Sequence, residues 1–171
     1  MIDRSLFEEV ADALRGLMAD DLGVLRCTHH RYGIKVWIGP QKPPREHYEA
    51  QVIGREHAPH ASVLALEVGF HSEHPNEADN EAVISGFLRS EQTWRPELGE
   101  EAVVGTFLGN AEHWRRVSEI WPDPNLDDPD LVFELAARLT DYLTTLEPYR
   151  QGHRATPAVK EAIMVAPAQP Y

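Results

Sequence analysis

Nine histidines and twenty-eight acidic residues give this 171-residue chain many groups able to hold a metal or move a proton. Their distribution is uneven, since seven of the nine histidines (His29, His30, His47, His57, His60, His71 and His74) fall within residues 29–74. Two of the seven stand in segments of strict alternation, where a strand fixes which face each side chain takes. In the first, Tyr48, Ala50 and Val52 alternate with His47, Glu49 and Gln51. In the second, Leu64, Leu66, Val68 and Phe70 alternate with Ala65, Glu67, Gly69 and His71. For both apolar sets to share one face of a hairpin, paired residue numbers must sum to an even value. The loop at 55–61 suggests a sum near 116. That register sets Glu49 opposite Glu67 and Gln51 opposite Ala65, with His47 and His71 on a diagonal. His47, Glu49, Glu67 and His71 then form one polar cluster, which Lys35 and Trp37 extend on the neighbouring strand.

Two histidines with carboxylates are a ligand set for zinc, manganese or iron, so these four residues are a candidate divalent-metal site. Opposed carboxylates also raise each other's pKa, which makes Glu49 and Glu67 the candidate general acid–base pair. Lys35, Trp37 and Gln51 are the candidate ligand contacts beside them. An ordinary wet sheet face carries the same residue types, and there the opposed carboxylates need Lys35, a cation or water to relieve them.

Other spellings carry less. His47-Tyr-Glu49 with a later histidine has the facial-triad form of non-haem iron sites, but the expected sheet is too small for their usual jelly roll. The nucleobase-deaminase signature fails for want of Pro-Cys-x-x-Cys. His57-x-x-His60 and His71-x-x-His74 have metal-compatible spacing, yet both touch loops. Cys27 sits in an apolar alternation, where a free cysteine behaves as a small buried hydrophobe. Neither a Gly-x-Ser-x-Gly elbow nor a glycine-rich phosphate loop is present. Trp94, Trp114 and Trp121 lie in the least regular region, as core edge or as anchors for a partner.

The elements that must position the cluster follow from periodicity. Leu6, Val10, Leu14 and Leu17 recur at helical spacing behind a Ser5–Glu8 capping box, predicting a helix over about 4–20. Strands follow at about 24–31, 33–39, 47–54 and 62–71, then a helix from Asn76 to Ser90 and a strand from Ala102 to Leu108. His113–Trp121 fits either type, with strand preferred. A last helix starts at Asp128 and Pro129, shows a wide stripe through Leu135, Leu139 and Leu143, and stops at Pro148. These elements make an α+β fold of two layers: an antiparallel β-meander of about four to six strands, helices packed on one face, the other face open. Residues 1–149 are expected as a single domain, and 150–171 as a tail with a short helical candidate at Pro157–Met164.

Composition sets outer bounds. At 42% apolar and 26% charged the chain is ordinary for a globular protein, with a core expected to bury roughly 70% of the unfolded surface. Thirteen of its sixteen bases are arginine, and the net charge of −12 disfavours nucleic acid and anionic membrane surfaces. A single cysteine excludes an internal disulfide framework. No apolar run reaches a membrane span, and Met1-Ile-Asp-Arg4 lacks a signal-peptide core, so a reduced cytoplasmic location is expected. The leading functional reading is a domain binding a small molecule or protein partner through its open polar sheet face, with a homodimer allowed. The alternative is a metal-dependent hydrolase or oxygenase using the His/Glu cluster.

Overall fold

The structure, a computed structural model, describes residues 5–42 and 44–154. Helix α1 (Ser5–Leu17) and a single 3-10 turn at Asp20–Leu22 lead into strands β1 (Leu25–His30), β2 (Gly33–Ile38), β3 (Glu46–Gly54) and β4 (Leu64–Ser72). Helices α2 (Glu77–Arg89) and α3 (Glu91–Leu98) follow, then strands β5 (Val103–Thr106) and β6 (Arg115–Pro122), and the long helix α4 (Leu131–Arg154). The strands form one antiparallel sheet in the order β1-β2-β3-β4-β6-β5, so the α+β expectation holds. The side chain of Ser5, and with it the expected cap, lies outside the described set, as does the expected helix at 157–164.

Alternation sorts the sheet into two faces. Ile34, Val36, Tyr48, Ala50, Leu66, Val68, Phe70 and Val117 point to one side, where all are buried against the helices. Helix α4 supplies Leu135, Leu139 and Leu143 to that core and packs on α1, α2, α3, β3 and β4. Each large side chain buried here contributes about 1.5–3 kcal/mol by leaving water, which is why the helical stripes fix the layer.

Three features depart from the sequence expectation. The region after Ser90 is helical, because Trp94 and Leu98, four apart, both reach the core and the Trp94 indole N–H donates to the Phe87 carbonyl at 2.8 Å. The last helix begins at Leu131 rather than Pro129 and does not stop at Pro148. Proline in a helix interior costs about 3 kcal/mol; here Leu146 is buried before it, and beyond it the Arg150 guanidinium binds Glu147 and Glu46, holding the turn in place.

The third departure concerns the second sheet face, which is covered rather than open. Ala58 and Ala61 of the β3–β4 loop pack on Ile53 and Ala65. Phe107 stacks edge-on against His71 at 5.2 Å and against Trp114 at 5.1 Å. On the other side, Trp37 is buried and its indole donates to the Pro40 carbonyl. Loops seal this face where helices seal the other. Among the described residues no helix is long and apolar enough to cross a membrane.

Candidate metal centre

Strands β3 and β4 pair so that residue numbers sum to 118, not 116. The two-residue shift preserves the face of every side chain but exchanges partners: His47 lies directly opposite His71, Gln51 opposite Glu67, and Glu49 opposite Gly69. The expected opposed Glu49–Glu67 pair therefore does not exist, and with it goes the raised carboxyl pKa proposed for acid–base work. His71 stands between the two carboxylates instead, with Nδ1 3.1 Å from Glu49 Oε2 and Nε2 3.1 Å from Glu67 Oε1. Gly69 is required at the centre of this face, since a Cβ there would come within 2.3 Å of the Val117 carbonyl oxygen.

A fourth group completes the arrangement. Glu73 follows β4 on the same parity as Glu67 and His71, and its backbone N–H continues the ladder to the Arg45 carbonyl at 2.8 Å. One donor atom from each of His47, Glu49, His71 and Glu73 falls within 4.8 Å of the other three. Separations are 3.3 Å from His47 Nε2 to Glu49 Oε2 and 3.4 Å from His47 Nε2 to Glu73 Oε1. His71 Nδ1 lies 3.1 Å from Glu49 Oε2 and 3.8 Å from Glu73 Oε1. Ligands held about 2.0–2.1 Å from a tetrahedral ion sit about 3.3–3.4 Å from one another. The four imidazole–carboxylate separations, 3.1–3.8 Å, lie near that edge length.

Each histidine also has its far nitrogen engaged. His47 Nδ1 is 3.2 Å from the Pro44 carbonyl oxygen, a contact that requires the N–H there, so that in the neutral ring Nε2 carries the lone pair. His71 Nε2 faces Glu67, which accepts further hydrogen bonds from Ser118 Oγ at 2.6 Å and Gln51 Nε2 at 2.9 Å. Carboxylate and carbonyl partners of this kind fix the tautomer and orientation of metal-binding imidazoles.

Charge in the cluster is unbalanced by fixed groups. Glu49 and Glu73 face Lys35, whose ammonium lies 3.5 Å from Glu49 Oε2 and 3.1 Å from Glu73 Oε2, while Glu67 acts on Arg116, with which it shares Ser118 Oγ. Three carboxylates against these two fixed cations leave one negative charge for a bound cation or imidazole protons to neutralise. With protons alone, burial works against a charged His71, but the Glu67 charge and the bonds to Glu49 and Glu67 outweigh it and lift its pKa to about 10. His47 is raised against the same burial cost by Glu49 and Glu73. Burial opposes ionisation of the carboxylates too, yet His47 and His71 hold Glu49 well below the ordinary range, and His71, Ser118 and Gln51 hold Glu67 at about 2.

The remaining sequence candidates have protein partners. Lys35 bridges Glu49 and Glu73, Gln51 supports Glu67, and Trp37 is tied to Pro40. Glu67 lies outside the group of four whose donor atoms approach one another, and Glu73, which the sequence reading did not name, lies within it. Its signal was present: His-x-Glu occurs at His47-Tyr-Glu49 and again at His71-Ser-Glu73. His57 and His60 lie on the β3–β4 loop, and His74 binds Glu46 at 2.9 Å. No protein-family model, curated protein or solved structure matches the chain.

Proposed function

We propose that this protein is a metal-binding α+β protein, holding one divalent first-row transition ion, zinc foremost, through His47, Glu49, His71 and Glu73. The observation that carries the reading is the set of donor–donor separations near a tetrahedral edge, made by residues of both central strands. Two neutral imidazoles and two carboxylates suit zinc, and also iron or manganese. Four protein donors complete a tetrahedral shell and leave no position for substrate, which favours a structural or metal-retaining role over catalysis. His47, Glu49 and His71 are each at most 4% exposed, so the ion would be shielded from water. Its role in the chain would be to join β3, β4 and the entry to α2 at one point, neutralising the carboxylates that the fold has buried there.

The test is metal content of the purified protein, followed by zinc, manganese and iron(II) titration of chelator-treated protein. One equivalent is expected, with a rise in melting temperature that corresponds to about 2.7 kcal/mol when free metal exceeds Kd a hundredfold. Glu73→Gln should abolish the rise while leaving the metal-free protein folded, because Glu73 lies at the solvent side of the cluster. Stoichiometry near zero for all three metals would leave a proton-filled ion-pair network as the whole account of the cluster.

A further inference from the structure

Beside the cluster, on the same face, a cavity of about 370 Å³ opens between β5, β6 and the β3–β4 loop. That volume lies in the range of small-molecule sites, which combine apolar walls with a few fixed polar groups. Its walls include Ala58, Ala61, Val103, Ile120 and Pro122, and its buried cation is Arg116, 8% exposed. The Arg116 guanidinium is held in place by backbone and hydroxyl: Nε donates to the Thr106 carbonyl at 3.0 Å, and Nη1 donates to Ser118 Oγ at 2.7 Å and its carbonyl at 3.2 Å. The neighbouring arginines Arg115, Arg138 and Arg150 each bind a glutamate directly. Arg116 binds none among the described residues, and its Nη2 makes no hydrogen bond there. Glu67 acts on Arg116 electrostatically, and the two share Ser118 Oγ, but the Nη2 edge is not sealed from water, so an anion arriving there gains a charge-assisted bond on a prepositioned donor.

We infer that this cavity binds a small amphipathic carboxylate, with the anionic head on Arg116 and a compact apolar body against the alanine, valine, isoleucine and proline walls. The acids nearby leave room for it. Glu119 is neutralised by Arg138 and also accepts from Trp121 and Tyr142, and Glu101 is exposed at the rim, where water screens it. His60 at the cavity edge offers a second donor. The inference rests on the cavity and Arg116, not on metal at the neighbouring cluster.

Calorimetric titration of the full chain with benzoate and octanoate, with and without added zinc, tests it, using octanol and octylamine as uncharged and cationic controls. Saturable one-to-one binding of at least one carboxylate is expected, at least about tenfold tighter than octanol, the scale of one charge-assisted hydrogen bond. Arg116→Met should lose at least about tenfold in carboxylate affinity by the same reasoning, and Arg116→Lys less. Val103 is half exposed, so Val103→Trp should fill the mouth and abolish binding in a protein that still folds, which keeps the test decisive should Arg116→Met unfold. Absence of saturable binding by either carboxylate, equal affinity for octanol, or unchanged binding in Val103→Trp overturns the inference.

Discussion

The two faces of the sheet are both buried, yet by opposite means. On the helix side Ile34, Ala50, Leu66 and Val68 need nothing from their neighbours except contact, and any apolar group of similar volume would serve. On the loop side His47, Glu49, Glu67 and His71 are buried to the same degree, but each is tied to named partners through directional bonds. Among the described residues no buried side-chain nitrogen or oxygen lacks a partner. Desolvating an unpaired polar group costs about 1–3 kcal/mol and a charge more. The helix face therefore supplies stability that tolerates change, while the loop face is a network in which removing one member strands the others. A fold gains little stability from such a network.

The largest effect should come from breaking the helix face itself. Leu135 is fully buried between α4 and the sheet, and Leu135→Asp forces a carboxylate into that layer with no partner. Truncation of a buried leucine alone costs about 2–5 kcal/mol, and the added charge raises this toward the whole of a domain's stability. Loss of cooperative unfolding by circular dichroism is expected. A soluble variant melting near wild type would contradict the placement of α4.

The next effect separates metal from protons on the loop face. A metal-free His71 with its pKa lifted to about 10 stabilises fully below its ordinary value of 6.5 and loses that contribution as pH rises through 10. Glu67, depressed to about 2, stabilises above its ordinary 4.5 and loses the contribution as pH falls through 2. The proton-filled cluster is thus at its best from about pH 4.5 to 6.5. Metal requires neutral imidazoles, so the zinc-induced rise in melting temperature should be larger at pH 8 than at pH 6 and vanish near pH 5. Equal rises at pH 6 and 8 would place the ion away from His47 and His71.

Removing a support rather than a ligand should cost less. Glu67→Gln keeps the shape of the side chain but sets an amide where three donors, from His71, Ser118 and Gln51, converge on a carboxylate. Outer partners of this kind are worth about 10–100-fold in metal affinity, or about 1.4–2.7 kcal/mol. Competition titration against a chelator measures it. Unchanged affinity would mean that Glu67 is a structural counter-ion and does not set the His71 tautomer.

How far the sequence exposed this contrast depends on which property was asked of it. The two faces were legible because a period of two fixes parity whatever the register, and a two-residue slip moves no side chain across the sheet. Register was not legible, because it is set by how the 55–63 loop folds back onto Ile53 and Ala65, a tertiary contact with no local signature. Glu73 escaped because Ser72 ends the apolar alternation and nothing apolar follows to mark the strand's continuation. The same tertiary origin hid the loop cover: Ala58 and Ala61 read as loop residues, and Phe107 as part of a strand that in fact ends at Thr106, until the sheet beneath them is known. Helix α3 was missed since Thr93, Pro96 and Gly99 surround a single apolar pair.

The smallest effect should fall on the cover alone. Asp123 adopts a left-handed conformation, with φ of 48°, and its carboxylate accepts the backbone N–H groups of Ser62 and Val63 at 2.7 and 2.9 Å. It thereby fastens the end of the β3–β4 loop to the end of β6, over the cavity that Arg116 lines. Asp123→Ala removes both acceptors and puts alanine in a backbone region it adopts less readily than aspartate. Neither change reaches the helix face or the histidines, so the melting temperature should move less than in Glu67→Gln, and zinc affinity should stay at the wild-type value. Amide exchange should instead quicken at Ser62, Val63 and the loop behind them, because local opening no longer breaks these bonds. Asp123→Asn, which tolerates the left-handed region and keeps one acceptor, should restore part of the protection. If exchange quickens equally across β3 and β4, the loop is not a separable cover but part of the cooperative unit that holds the polar face closed.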